Sequence, residues 1–199
     1  MTGIQLLQQL RQSGSELGII VITAFGTIDQ AVEGIVNGIF FNQGHVCCAG
    51  SRLFVQESVA KSVIRKLKDR METLIVGDPL DKNTDIGAIN SRAQLKRIES
   101  LVASGVREGA SLYQPACPLP AKGFYFRPSV FSGVTMSHRV AREEIFGPVL
   151  SVVRVETYED AIRLVHAHKY ANGVAIFTND GGAARRFQSE IQVGMVGIN

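Results

Sequence analysis

Apolar residues recur along this chain with two periods that alternate. Ile28, Ala31, Val32, Ile35, Val36, Ile39 and Phe40 fall on one face at helical spacing, which predicts an amphipathic helix ending near Phe40. Thr27 and Gln30 stand in capping-box spacing at its start. Ahead of it, Ile19 to Ile22 is a β-branched run that predicts a buried strand, and Ile4, Leu7 and Leu10 predict a short helix closed by Gly14. Further on, Arg52 to Gln56 reads as a strand, and Val59, Val63, Leu67 and Met71 mark a helix ending before Gly77. Ser91 and Gln94 offer a second capping box, followed by helical positions Leu95, Ile98, Val102 and Val106. Tyr113 to Gly123, with Pro115, Pro118 and Pro120, predicts a surface loop. Val149 to Val155 predicts a strand, and Thr157 with Asp160 caps a helix carrying Ala161, Ile162 and Val165. Val174 to Phe177 and Met195 to Ile198 predict strands around a helix near Ala183 to Ile191.

Strands alternating with helices imply an α/β layer fold with substantial parallel character. No repeat or low-complexity segment interrupts it. The strand pattern runs to the last residue, Asn199, which leads us to expect a truncated unit. The 199 residues are 45% hydrophobic and 20% charged, which excludes a disordered tail, a collagen-like chain and a coiled coil. The net charge of +3 comes from 21 basic and 18 acidic residues without a basic block, so nothing points to nucleic acid or an anionic membrane. No apolar run approaches the roughly 20 residues of a membrane helix. Three cysteines, two of them adjacent, argue against a disulfide framework and for a reducing, cytoplasmic setting.

The stretch with chemistry is Phe41-Asn42-Gln43-Gly44-His45-Val46-Cys47-Cys48-Ala49-Gly50-Ser51-Arg52, between the long helix and a strand. Small neighbours let a ligand approach a thiol there, and backbone N–H groups in such a turn can stabilise an oxyanion. The same pair of cysteines also fits plain buried packing, the usual fate of free cysteine. His138, His166 and His168 have no metal-ligand spacing and read as exposed polar residues.

This stretch resembles the catalytic-cysteine signature of the aldehyde dehydrogenase family, Phe-x-Gln-Gly-Gln-x-Cys-x-Ala-Gly-Ser-Arg. Glu143-Glu144-Ile145-Phe146-Gly147-Pro148-Val149 resembles a second landmark in the right order. Val76-Gly77-Asp78-Pro79 and Gly123-Phe124-Tyr125-Phe126-Arg127-Pro128-Ser129-Val130 are also similar to that family. The resemblance covers residues 28–199 and implies a truncated, aldehyde dehydrogenase-like catalytic domain of α/β class. It implies oxidation of a small-molecule aldehyde to a carboxylic acid with NAD or NADP, through a thiohemiacetal and a thioester on Cys47. It further implies that Glu144 hydrogen-bonds the nicotinamide ribose, that Phe146 packs near the nicotinamide, and that the Cys47 N–H forms half of an oxyanion hole. Cys48 is expected to be structural, Cys117 to be an ordinary exposed thiol, and homo-oligomers belong to the family. No metal site is implied.

Two departures stand out. His45 replaces the family's usual Gln or Glu; as an imidazolium it would favour the Cys47 thiolate, and as a surface substitution it would do nothing. The family's general base lies in Glu-Leu-Gly-Gly, of which Glu16-Leu17-Gly18 is a trace set about three residues too close to the cysteine. Residues 1–27, from Met1-Thr2-Gly3-Ile4 to Thr23-Ala24-Phe25-Gly26, instead resemble the middle of a response-regulator receiver domain, with Thr23 at its switch position. The resemblance also implies that most of the cofactor-binding domain precedes this sequence. An alternative reading therefore stays open, a dehydrogenase-like fragment or chimera that only binds partners.

Overall fold

The structure, a computed structural model, describes residues 19–21, 28–169 and 172–199. Seven strands form one sheet in the order β3-β4-β5-β2-β1-β6-β7. They are β1 (Ile19–Val21), β2 (Arg52–Gln56), β3 (Ser111–Tyr113), β4 (Ser129–Val134), β5 (Val149–Val155), β6 (Gly173–Phe177) and β7 (Met195–Ile198). Every pairing is parallel except β3 with β4, which closes one edge antiparallel. β1 lies between β2 and β6, with Val21 opposite Val55 and Ile19 opposite Ala175.

The helices are α1 (Ile28–Phe40), α2 (Glu57–Met71), α3 (Arg92–Arg107), the single turn α4 (Arg139–Arg142), α5 (Tyr158–His166) and α6 (Gly181–Glu190). Strand alternation divides the core between the two faces of the sheet. Leu53, Val55, Leu150, Val152, Ala175 and Phe177 pack with α1 and α2, whose buried stripes include Ile35, Ile39, Val63 and Leu67. Phe54, Val149, Val153, Val155 and Ile176 pack on the other face with Ile98, Val102, Ile162 and Phe187. A parallel sheet buried on both faces needs near-continuous apolar strands, and Val149–Val155 is such a run.

Most expected elements form where the periodicity places them. Thr157 and Asp160 make a complete, reciprocal capping box on α5. Three expectations change. Ser91 accepts from the Gln94 N–H at 3.2 Å, but the Gln94 side chain does not return to the cap; it reaches another segment. Val106 is half-exposed, and the buried row of α3 runs through Leu101 instead. β3 and β4 flank the proline-rich loop without an advance signal, because their apolar runs are short and broken by Ser111, Ser129 and Ser132. The N-terminal helix, the Thr27 cap, Thr23, Glu16 and the expected seam near residue 27 lie outside the described residues.

Candidate active site

In a parallel sheet each helix returns the chain to the N-terminal edge of the next strand. The loop between α1 and β2 therefore sits at the N-terminal edge of β2, and Cys47 sits in that loop, in a turn and exposed. The turn is made by an unusual backbone run. Asn42 (φ 48°), Gln43 (φ 58°) and Gly44 (φ 70°) are consecutive left-handed residues that begin one residue past the end of α1. Asn42 closes it locally, accepting from the His45 N–H at 2.9 Å and donating Nδ2 to the His45 carbonyl at 3.2 Å. Gln43 anchors it, donating Nε2 to the Ala88 carbonyl and accepting from the Gly87 N–H, both at 3.1 Å. Gly44 is obligatory, since a Cβ there would lie 2.2 Å from the Gly147 carbonyl oxygen. Among the described residues, no acceptor takes the N–H of Cys47.

Opposite this turn runs Glu143–Gly147, the segment between α4 and β5. It is held through its carbonyls by side chains from elsewhere. Gln94 Nε2 of α3 donates to the carbonyls of Ile145 and Phe146, each at 2.9 Å. Arg97 donates to the Glu144 carbonyl at 3.0 Å. Arg52 of β2 donates to the Glu143 carbonyl at 3.2 Å and through Nε to that of Ala141. The two adjacent carboxylates diverge. Glu143 pairs with Arg139 at 2.8 Å, and the hydrogen bond from that guanidinium holds its carboxyl below the usual range. Glu144 is exposed, and its carboxylate has no partner among the described residues. Phe146 takes φ 55°, uncommon for a bulky residue and a mark of local strain.

Cys47, Glu144 and Phe146 line one open cleft. Cys48 is half-buried and lines the same cleft, so it is not packed away as expected. His168 lines it too, half-buried and hydrogen-bonded through Nε2 to the Ala141 carbonyl at 3.1 Å, rather than being a plain surface residue. His138 likewise is half-buried, with both ring nitrogens in hydrogen-bond contact at the start of α4. Cys117 packs partly against the core and gives its carbonyl to Arg127, so it is not an ordinary exposed thiol. The imidazolium reading of His45 does not hold. Its ring lies flat on Phe146, and burial lowers its pKa below 6.5, which leaves it neutral near pH 7. Gln94, Arg97 and His168 were not anticipated; Gln94 looks in sequence like a cap residue, and carbonyl acceptors leave no trace in a sequence.

The sequence model of the aldehyde dehydrogenase family matches residues 8–199. Retinal dehydrogenase 2 of Homo sapiens is 41% identical over 179 residues, which are 90% of this chain and 35% of that protein. The crystal structure of an NAD-dependent aldehyde dehydrogenase from Sinorhizobium meliloti superposes with a TM-score of 0.87 at 32% identity, covering 98% of this chain and 40% of that one. 1-Pyrroline-5-carboxylate dehydrogenase from Thermus, with bound NAD, gives a TM-score of 0.84 at 30% identity over 92% of this chain and 35% of its own. The chain thus spans about a third of the length of the curated relatives it matches. Among the described residues, no helix is long and apolar enough to cross a membrane.

Proposed function

The chain belongs to the aldehyde dehydrogenase family, and on that premise we propose that its cleft serves the oxidation of an aldehyde to a carboxylic acid, with Cys47 as the nucleophile. The observation that carries this reading is the meeting of Cys47, Glu144 and Phe146 in one cleft from segments about a hundred residues apart in sequence. The Cys47 thiolate adds to the aldehyde carbon, and the carbonyl oxygen becomes an alkoxide. The N–H of Cys47, with no acceptor of its own among the described residues, donates to that oxygen and stabilises the charge. Loss of hydride from the thiohemiacetal leaves an acyl thioester on Cys47. Water hydrolyses the thioester, releasing the acid and restoring the thiol.

The residues present fit the nicotinamide-ribose end of NAD or NADP. The Glu144 carboxylate offers two acceptor oxygens at the mouth of the cleft, which suits ribose hydroxyls. The Phe146 ring offers a flat apolar face beside them. When bound, the nicotinamide supplies the hydride acceptor. A cytosolic setting belongs to the same proposal, supported by three free cysteines.

The test is iodoacetamide labelling of the full chain with and without a short-chain aldehyde, read by peptide mass spectrometry, since thiohemiacetal formation needs no cofactor. The aldehyde is expected to protect Cys47 selectively, and removing it to restore labelling. Protection confined to Cys117, or equal protection of all three cysteines, would overturn the assignment.

A further inference from the structure

His45 is the residue at which the nucleophile turn touches the facing segment. Its ring centroid lies 5.5 Å from that of Phe146, with the planes only 10° apart. Its Nε2 is buried and has no hydrogen-bond partner. Phe146 sits under it in a left-handed backbone conformation that a bulky side chain rarely adopts. One residue away on each strand of this contact, Gly44 abuts the Gly147 carbonyl, so the two segments are in contact through backbone as well as through rings.

We propose that His45 is a positioning residue whose uncharged ring clamps Phe146 in its left-handed corner, fixes the cleft wall that faces Cys47, and releases it on protonation. The proposal rests on the reading of Phe146 as the aromatic beside the nicotinamide, which gives the clamp its consequence for the reaction. A neutral imidazole can leave Nε2 as a bare lone pair, whereas an imidazolium carries an N–H on both nitrogens. An N–H at the Nε2 position meets no acceptor, so the charged ring must turn out to find water. Phe146 then loses the surface that opposes relaxation of its backbone. The groups around the ring do not compensate its charge. Cys47 is on its own turn, Glu144 on the facing segment, Arg52 on β2 and His168 before β6; Arg52 and His168 engage the carbonyls of Glu143 and Ala141, and among the described residues neither Cys47 nor Glu144 makes a hydrogen bond or ion pair with the imidazole. Gln94 and Arg97 of α3 engage the carbonyls of the facing segment, not the ring. Consistent with this, burial alone sets the direction of the His45 pKa.

Two measurements on the full chain, with neither cofactor nor aldehyde, test the clamp. The first is an NMR titration of the histidine Cε1 protons. His45 is expected to titrate below an ordinary histidine, and its midpoint to rise in Phe146→Leu as the ring is exposed. A midpoint that stays put, or falls because the aromatic face had been holding a cation, would overturn the proposal. The second is carbamidomethylation of Cys47 from about pH 5 to pH 8, each rate divided by that of a free thiol at the same pH. The ratio is expected to change by about threefold or more across the His45 titration. His45→Phe, which keeps the stack and cannot protonate, should hold the neutral-pH ratio throughout; His45→Gln should depart from it at every pH. A pH step of the same size in His45→Phe would sink the idea, and thermal melts show which variants are folded. If His45→Phe does not fold, the titration of Phe146→Leu decides. Neither measurement uses aldehyde capture, so failure of the clamp leaves the proposed reaction standing, and absence of aldehyde protection at Cys47 leaves the clamp standing.

Discussion

The two walls of the cleft are built in opposite ways. The Cys47 wall takes its shape from its own backbone: three successive left-handed residues, a hydrogen bond from His45 back to Asn42, and a glycine where nothing larger fits. The Glu144–Phe146 wall has almost no internal hydrogen bonding and takes its shape from Gln94, Arg97 and Arg52, which hold its carbonyls from other elements. A wall of the first kind owes most of its shape to its own short sequence, with Gln43 tying it to Gly87 and Ala88. A wall of the second kind forms only after the whole sheet and α3 are in place.

The largest expected effect falls on the local wall. Gly44→Ala puts a Cβ 2.2 Å from the Gly147 oxygen at φ 70°, so backbone must move. A loss of about 3 kcal/mol or more is expected in urea unfolding. A loss under about 1 kcal/mol would show that the turn yields easily, and the contrast between the walls would weaken. Gln94→Leu comes next. It removes two hydrogen bonds to part-buried carbonyls and should cost about 1–3 kcal/mol. Hydrogen exchange is expected to quicken at Glu143 and Val149 while the His45 and Ala49 amides keep their protection; equal loosening of both would make the walls a single unit. Thr157→Ala removes the α5 cap at the opposite edge of the sheet and should cost about 1 kcal/mol. It separates general stability from cleft geometry, since Cys47 alkylation should be unchanged in the folded protein.

The smallest effect is a pH dependence. Burial depresses His45 below its ordinary 6.5, so the unfolded chain binds the proton more tightly. Its contribution is complete above pH 6.5 and is lost as pH falls toward the folded value. Glu143 and Asp160, depressed by hydrogen bonds from Arg139 and Thr157, follow the same sign further down, below their ordinary 4.5 and 3.8. Unfolding curves of His45→Phe should lack the first of these steps and keep the second. A first step retained in His45→Phe would assign it to another group.

The same difference explains what the sequence makes legible. The α1 stripe, β2, β5 and the α5 capping box are written in consecutive residues, so periodicity and spacing reveal them. Cys47 is readable for the same reason, through the small residues and the signature around it, and Glu144 and Phe146 through theirs. Gln94 satisfies a capping pattern while its side chain serves a segment fifty residues later, and no local rule distinguishes the two uses. His168 and Asn172 join the cleft because the turn before β6 reaches the same sheet edge as the loop before β2. The general rule for parallel sheets also misleads here. It places ligands beyond the C-terminal ends of strands, whereas this cleft lies at the N-terminal edge, where Ser51, Arg52, Gly147 and Gly173 meet.

The position of β1 has a consequence for the order in which the chain can fold. It is the first in sequence of the strands described, yet it occupies an inner position and shares its ladder with β6, the sixth of them. β2, β5, β4 and β3 can assemble during synthesis with β1 along their free side. Until β6 arrives, β1 presents an unpaired row of backbone groups, a template on which another nascent chain can add a strand. Closing that ladder across nearly the full described length is a high-contact-order step, and such steps are slow. The interval between synthesis of β1 and β6 is therefore when this sheet is most exposed to misassembly, and a chaperone that shields one strand edge would act there.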